Sequence, residues 1–176
     1  MVRRDTELMP EIVTEAIVVI DLVESTLTSN LFGWYAVGRH AVRDLRLLIG
    51  EVGASRGLRC LKSTGDGYLA TFHDPQSAET SAIQAVAASF DLLDRVATRN
   101  RQVSEERALN LRCAVHLGEV DVVANDREGP HVSLAFRLQV GLRALDRIRL
   151  TPGCWSRLMA IGDQKDYQSY PNDSEE

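Results

Sequence analysis

The sequence predicts an α+β domain in which helices pack on one face of a mainly antiparallel sheet. Three observations lead there. Short runs rich in β-branched residues alternate with longer stretches whose apolar residues recur at helical spacing. Two pairs of the short runs stand close enough together to be hairpins rather than crossover units. The chain has 176 residues, 44% of them hydrophobic, which suits one domain with a real core.

The elements follow in order. Residues 16–22, "AIVVIDL", read as a buried strand ending at an acid, and "STLTSN" after it is rich in capping and loop residues. From about Trp34 to Ala54 the apolar residues Val37, Ala41, Leu45, Leu48 and Val52 mark a long helix. Residues 58–62 and 68–72 are two strands joined at "STGDG", whose glycines supply positive-φ positions for a tight turn. "DPQSAETSAIQAVAASFDLLDRVATRN" opens with a helix-start signal, and Ile83, Val86, Ala87, Phe90, Leu93 and Val96 trace a second long helix. After a charged loop, "LNLRCAVHLGEVDVVA" reads as two strands broken at Leu117-Gly118, and "NDREGPHV" as a loop. "SLAFRLQVGLRAL" is a third helix, "RIRLT" a short strand and "PGCWSRLMAIG" a short helix with Pro early in it. Residues 1–165 are expected to form the one domain, and the polar residues 166–176 a disordered tail.

Composition excludes several classes. A net charge of −5 argues against a nucleic-acid binder that relies on a basic surface. No run approaches the roughly 18 apolar residues of a membrane helix, and no apolar segment follows the N-terminal arginines, so neither a span nor a signal peptide is expected. Cys60, Cys113 and Cys154 are odd in number and widely spaced, which indicates neither a disulfide framework nor a zinc site. His40, His73, His116 and His131 show no metal-ligand spacing, and a cytoplasmic protein with free thiols is the expectation.

The chemistry concentrates in a few residues. Asp21 closes the first strand and Asp66 sits between two glycines in the first hairpin; if the two strands are neighbours, both carboxylates meet at one end of the sheet. Paired hard oxygen ligands suit Mg²⁺ or Mn²⁺, and two such ions serve phosphoryl or nucleotidyl transfer. Beside Asp21 lies "VEST", with two hydroxyls and a helix start that offers N–H groups to phosphate. Arg137, on an otherwise apolar helix, is placed to answer charge developing on a phosphoryl group. Taken singly, each residue has an ordinary reading. Asp66 is a turn residue, Asp21 a helix cap, Lys62 an edge-strand lysine, Asp126 loop polarity and Arg137 a snorkelling side chain.

Four segments in order, "VVIDLVEST", "LKSTGDGYLATF", "LRCAVHLGEV" and "DREGPHVSLAFRL", resemble the class III nucleotide cyclases, the adenylate and guanylate cyclase catalytic domain with its ferredoxin-like, palm-type fold. The resemblance implies that Asp21, Asp66 and the main-chain carbonyl of Leu22 hold two divalent ions, Mn²⁺ or Mg²⁺. It implies that Lys62 and Asp126 face the nucleobase, and that Arg137 contacts the triphosphate in the transition state. It also implies a homodimer, in which one subunit brings the metals and the other the base and arginine contacts. Ser133 stands where the family has asparagine, and Glu24 where it has glycine; Glu24, Ser25 and Thr26 would lie beside the triphosphate. The family's final strand with its triphosphate-binding lysine is not recognisable, with Lys165 the one candidate, so the C-terminal strand region reads as shortened.

On base choice, a lysine donor beside a carboxylate acceptor matches adenine, cytosine and uracil alike. Pocket bulk would separate them, with Phe32, Trp34, Tyr35 and Phe136 as available aromatics. A short cyclase domain with an altered phosphate loop looks like the stand-alone pyrimidine (uridylate) cyclases of bacterial Pycsar antiphage systems. That likeness implies UTP as substrate, cyclic UMP as product and a separate effector protein as its reader. The alternatives are an adenylate cyclase acting on ATP and an inactive cyclase-like nucleotide-binding module. A diguanylate-type synthase is disfavoured because "STGDGYL" lacks that family's hairpin signature.

Overall fold

The computed structural model describes residues 10–23, 38–140 and 147–160. Six strands and four α-helices appear there, with one 3-10 turn at Glu105–Arg107: β1 Glu11–Leu22, α1 Arg39–Gly53, β2 Leu58–Ser63, β3 Gly67–Phe72, α2 Ala78–Asn100, β4 Leu111–Val123, β5 Asp126–Glu128, α3 Pro130–Val140, β6 Arg147–Leu150 and α4 Pro152–Ala160. The strands make one sheet in the order β2-β3-β1-β4-β5, with β6 parallel to β4 and every other pairing antiparallel.

Strand β1 lies at the centre, between β3 and β4, and its apolar run explains why. Ala16, Val18, Ile20 and Leu22 face one layer, and Ile17 and Val19 the other. The first layer is built with α1 and α2: Leu45, Ile49 and Val52 come from α1, and Ala82, Ala85, Val86, Leu92 and Val96 from α2. The alanines let α2 lie close on the strands. Its start is set by Ser77, whose Oγ accepts the Thr80 N–H at 3.1 Å as an N-cap. Cys154 of α4 joins the same layer. On the opposite face Val132 and Ala135 of α3 pack on Ile17, Val19, Leu69 and Val120.

Helices therefore cover both faces of the sheet, not the single face expected. The continuous run "AIVVI" carried that information, because a strand apolar at every position is covered on both sides. Three further expectations change. Strand β1 begins at Glu11 rather than residue 16. The segment expected to break at Leu117-Gly118 is one 13-residue strand, β4, and the turn comes later, with Ala124 at φ 52° leading into β5 inside the expected loop. Gly118 is small for another reason: a Cβ there would stand 2.4 Å from the ring of His131. Finally, α3 starts at Pro130, so Ser133 is within its first turn rather than at its start. The ends of the expected first and third helices, residues 34–37 and 141–145, and the tail lie outside the described residues.

Candidate active site

Strands β1 and β3 are neighbours, the condition set for the two acids to share one end of the sheet. In the β1–β3 ladder Asp21 stands opposite Gly67, the residue after Asp66, so both carboxylates belong to the same end of adjacent strands. The hairpin closes with Thr64 N–H donating to the Gly67 carbonyl at 3.0 Å. Of the glycines flanking Asp66, Gly65 takes φ 109° as a turn glycine should. Gly67 is required for a different reason: a Cβ there would lie 2.2 Å from the Ile20 carbonyl oxygen. Its missing side chain is what lets the two strands close beside Asp21.

Asp21 belongs to the face covered by α3. Its Oδ2 accepts from a guanidinium nitrogen of Arg112, opposite it on β4, and from Gln139 Nε2 of α3 at 2.8 Å. Arg112 and Gln139 were not singled out in the sequence. Register would have found Arg112, since the β1–β4 pairing puts it across from Asp21; Gln139 had no signal beyond a polar residue in an apolar helix. Leu22 closes β1 with its side chain in the core, 6% exposed.

A second cluster forms where the β4–β5 hairpin reaches β2. Lys62 Nζ and Asp126 Oδ2 form an ion pair across 64 residues of sequence. The hydrogen bond between them raises the Lys62 pKa and lowers that of Asp126, a change that the Arg127 N–H reinforces by donating to Asp126 Oδ1 at 2.7 Å. Beside them, Cys60 Sγ donates to the Asn125 carbonyl at 3.3 Å, and burial pushes that thiol up. Asp21 thus bonds with Arg112 and Gln139, and Asp126 with Lys62 and Arg127.

Arg137 and Ser133 are both exposed on α3, one helical turn apart and so on the same side of it. Phe136 is partly buried against the α3 layer. Glu24, Ser25, Thr26, Phe32, Trp34, Tyr35 and Lys165 lie outside the described residues. His116 of β4 stacks with His131 in the first turn of α3: His116 Nε2 and His131 Nδ1 are 2.8 Å apart, and Thr151 Oγ1 lies 3.2 Å from His116 Nδ1.

The donor set suits a hard divalent cation. Asp21 and Asp66 offer only oxygen, at neighbouring strand ends held close by Gly67. Asp21 already serves a cationic partner, Arg112, so a cation would take up an existing charge complement. No group of three or more His, Cys, Asp or Glu stands together among the described residues, so waters and phosphate oxygens would complete the shell, as Mg²⁺ prefers.

No protein-family model matches the chain. A curated relative, "Putative adenylate cyclase 3" of Rhizobium meliloti (strain 1021), is 38% identical over 88 residues, which is 50% of this chain and 14% of that protein. The match thus spans about one seventh of the relative's length. Among solved structures, the monomeric guanylyl cyclase domain of the RhoGC fusion protein from the aquatic fungus Blastocladiella emersonii superposes with a TM-score of 0.76 at 15% identity, covering 87% of this chain and 90% of that one. The fold is that of a nucleotide cyclase domain. The adenylyl cyclase CyaB from P. aeruginosa has the same arrangement, with a TM-score of 0.72 at 18% identity over 88% of this chain and 84% of that one. A non-canonical dimeric form of the fungal domain is matched at TM-score 0.72 and 15% identity over 85% of this chain and 86% of that one. The cyclase fold accounts for the antiparallel sheet with helices packed on it. Among the described residues no helix is long and apolar enough to cross a membrane.

Proposed function

We propose that this domain, residues 1–165, is a metal-dependent nucleotide cyclase that works as a homodimer and converts UTP to cyclic UMP and pyrophosphate. The observation that carries the reading is the Lys62–Asp126 ion pair: two side chains 64 residues apart meet in a cyclase fold at the positions whose pairing the resemblance called for. In the free protein the two satisfy each other. A nucleobase edge that offers an acceptor to Lys62 and a donor N–H to Asp126 would insert between them and replace one ion pair with two hydrogen bonds.

In the reaction the substrate's 3′-oxygen attacks the α-phosphorus in line. The new P–O bond closes the ring, the bond to the bridging oxygen breaks, pyrophosphate departs and the hydroxyl proton passes to solvent. Asp21, Asp66 and the Leu22 carbonyl would hold two ions, Mn²⁺ or Mg²⁺. Such ions lower the hydroxyl's pKa and neutralise the leaving pyrophosphate. Gln139 fixes one oxygen of Asp21, so the carboxylate is oriented before substrate arrives. Arg112, paired with Asp21 at the same strand end, would offer its guanidinium to phosphate oxygens of a bound triphosphate. Arg137 and Ser133, exposed on α3, are available to a site completed by a second copy; Arg137 answers charge on the transferring phosphoryl group and Ser133 acts through water. By the resemblance, Glu24, Ser25 and Thr26 would lie beside the triphosphate.

The UTP assignment, the antiphage role and the separate effector rest on likeness to the pyrimidine cyclases. The named relative favours a second reading, an adenylate cyclase acting on ATP. Incubating purified protein with Mn²⁺ and each of the four nucleoside triphosphates, with and without phage lysate as activator, decides between them. Cyclic UMP supports the proposal and cyclic AMP alone the second reading. Absence of any cyclic product removes the enzyme.

A further inference from the structure

Strands β5 and β2 stand at opposite ends of the sheet order, yet the β4–β5 hairpin touches β2 at two points. The hairpin must curl over the sheet to do so. Its tip contacts are the Lys62–Asp126 pair and the Cys60–Asn125 hydrogen bond. A third contact lies further back. Arg127 clasps Glu15 with both arms of its guanidinium, Nε to Oε2 at 2.7 Å and Nη2 to Oε1 at 3.0 Å. The side chains are 9% and 2% exposed. Glu15 stands opposite Gly118 in the β1–β4 ladder, on the face that α3 covers.

Arg127 also grips its neighbour. Its N–H donates to Asp126 Oδ1 at 2.7 Å, and its Nη1 donates to the Asp126 carbonyl at 2.9 Å. One guanidinium therefore ties the buried acid of β1 to the main chain of Asp126. A buried ion pair is a poor device for stability alone, since apolar residues of similar volume do as well or better. A planar two-armed clasp is a good device for fixing direction.

We propose that Glu15 and Arg127 are positioning residues for base recognition: their ion pair sets the curl of the β4–β5 hairpin and holds the Asp126 carboxylate beside Lys62, where the two can take a nucleobase edge. The inference rests on the reading of Lys62 and Asp126 as the base-reading pair. It separates two roles. Lys62 and Asp126 touch the base, whereas Glu15 and Arg127 act only through Asp126.

The test uses the double variant Glu15→Leu/Arg127→Met, which replaces the pair with apolar bulk and leaves no unpaired charge, and Arg127→Lys, which keeps the charge and loses the clasp. In both, the Asp126 carboxyl, followed by NMR, should titrate closer to its ordinary 3.8. The ratio of kcat/KM for the best nucleotide over the next should fall about tenfold, the scale of losses from removing a supporting partner, chiefly through KM. A folded double variant with unchanged Asp126 titration and unchanged nucleotide preference overturns the proposal. If the double variant does not fold, the same two readings on Arg127→Lys decide it. If the wild-type protein makes no cyclic product from any triphosphate, the cyclase reading fails, and the Asp126 titration still decides whether the clasp positions that carboxylate.

Discussion

Replacing Gly67 with alanine tests how the acid pair is assembled. The new Cβ would stand 2.2 Å from the Ile20 carbonyl oxygen, 3.1 Å from the Asp21 Cα and 3.2 Å from the Ile20 carbonyl carbon. Ordinary contact begins at 3.4 Å, so the nearest approach is short by about 1.2 Å. All three atoms are backbone, and β3 is hydrogen-bonded to β1 on one side and β2 on the other, so no side-chain rotation relieves the clash. The start of β3 must move away from β1. Overpacking of this kind costs about 1–3 kcal/mol, which for a domain of this size lowers Tm by roughly 2–12 °C. The same shift carries Asp66 away from Asp21. A misplacement of about 1 Å costs on the order of a hundredfold in rate, so the Mn²⁺-dependent yield of cyclic nucleotide should drop by about that factor. Differential scanning calorimetry and product formation measured on one preparation check both arms. A Gly67→Ala protein that melts with the wild type and binds Mn²⁺ equally well would refute the claim that this glycine draws the two carboxylates together.

Other outcomes follow from the same geometry. Arg137→Ala removes an exposed side chain, so Tm should stay within about 1 °C while cyclase turnover falls by roughly a hundredfold or more, read by steady-state kinetics. The Lys62–Asp126 pair should persist across neutrality. Asp126 is depressed, so the pair's contribution is complete above 3.8 and is lost as pH falls through its folded pKa; Lys62 is raised, so the contribution is complete below 10.5 and is lost as pH rises through its folded pKa. NMR titration of both groups tests this. His116 is held below 6.5, first by burial and then by the charge of His131. The unfolded chain therefore takes up the proton more readily, and Tm should decline as pH drops below 6.5, a decline blunted in His116→Gln. Glu15→Ala leaves the Arg127 guanidinium buried without its acid and should cost about 3–5 kcal/mol, read by urea denaturation.

The sequence by itself determined that two acids stand at the ends of neighbouring strands. Asp21 at the close of a β-branched run and Asp66 between glycines were legible because strand periodicity and turn residues are local properties, and antiparallel neighbours bring such ends together. It also held, in "AIVVI", the sign that helices cover both faces. Gly118 misled because a glycine inside a strand reads as a break until the ring of His131 is seen filling the space above it. Only the tertiary structure decided what lies beside the acids. Arg112 reaches Asp21 through register, Gln139 through helix packing, and Asp126 reaches Lys62 because a hairpin curls across the sheet and is clasped by Arg127 and Glu15. Those contacts join residues 64 to 118 positions apart. No local spacing encodes them, because the distance between two side chains on different strands depends on how the whole sheet twists and folds back on itself.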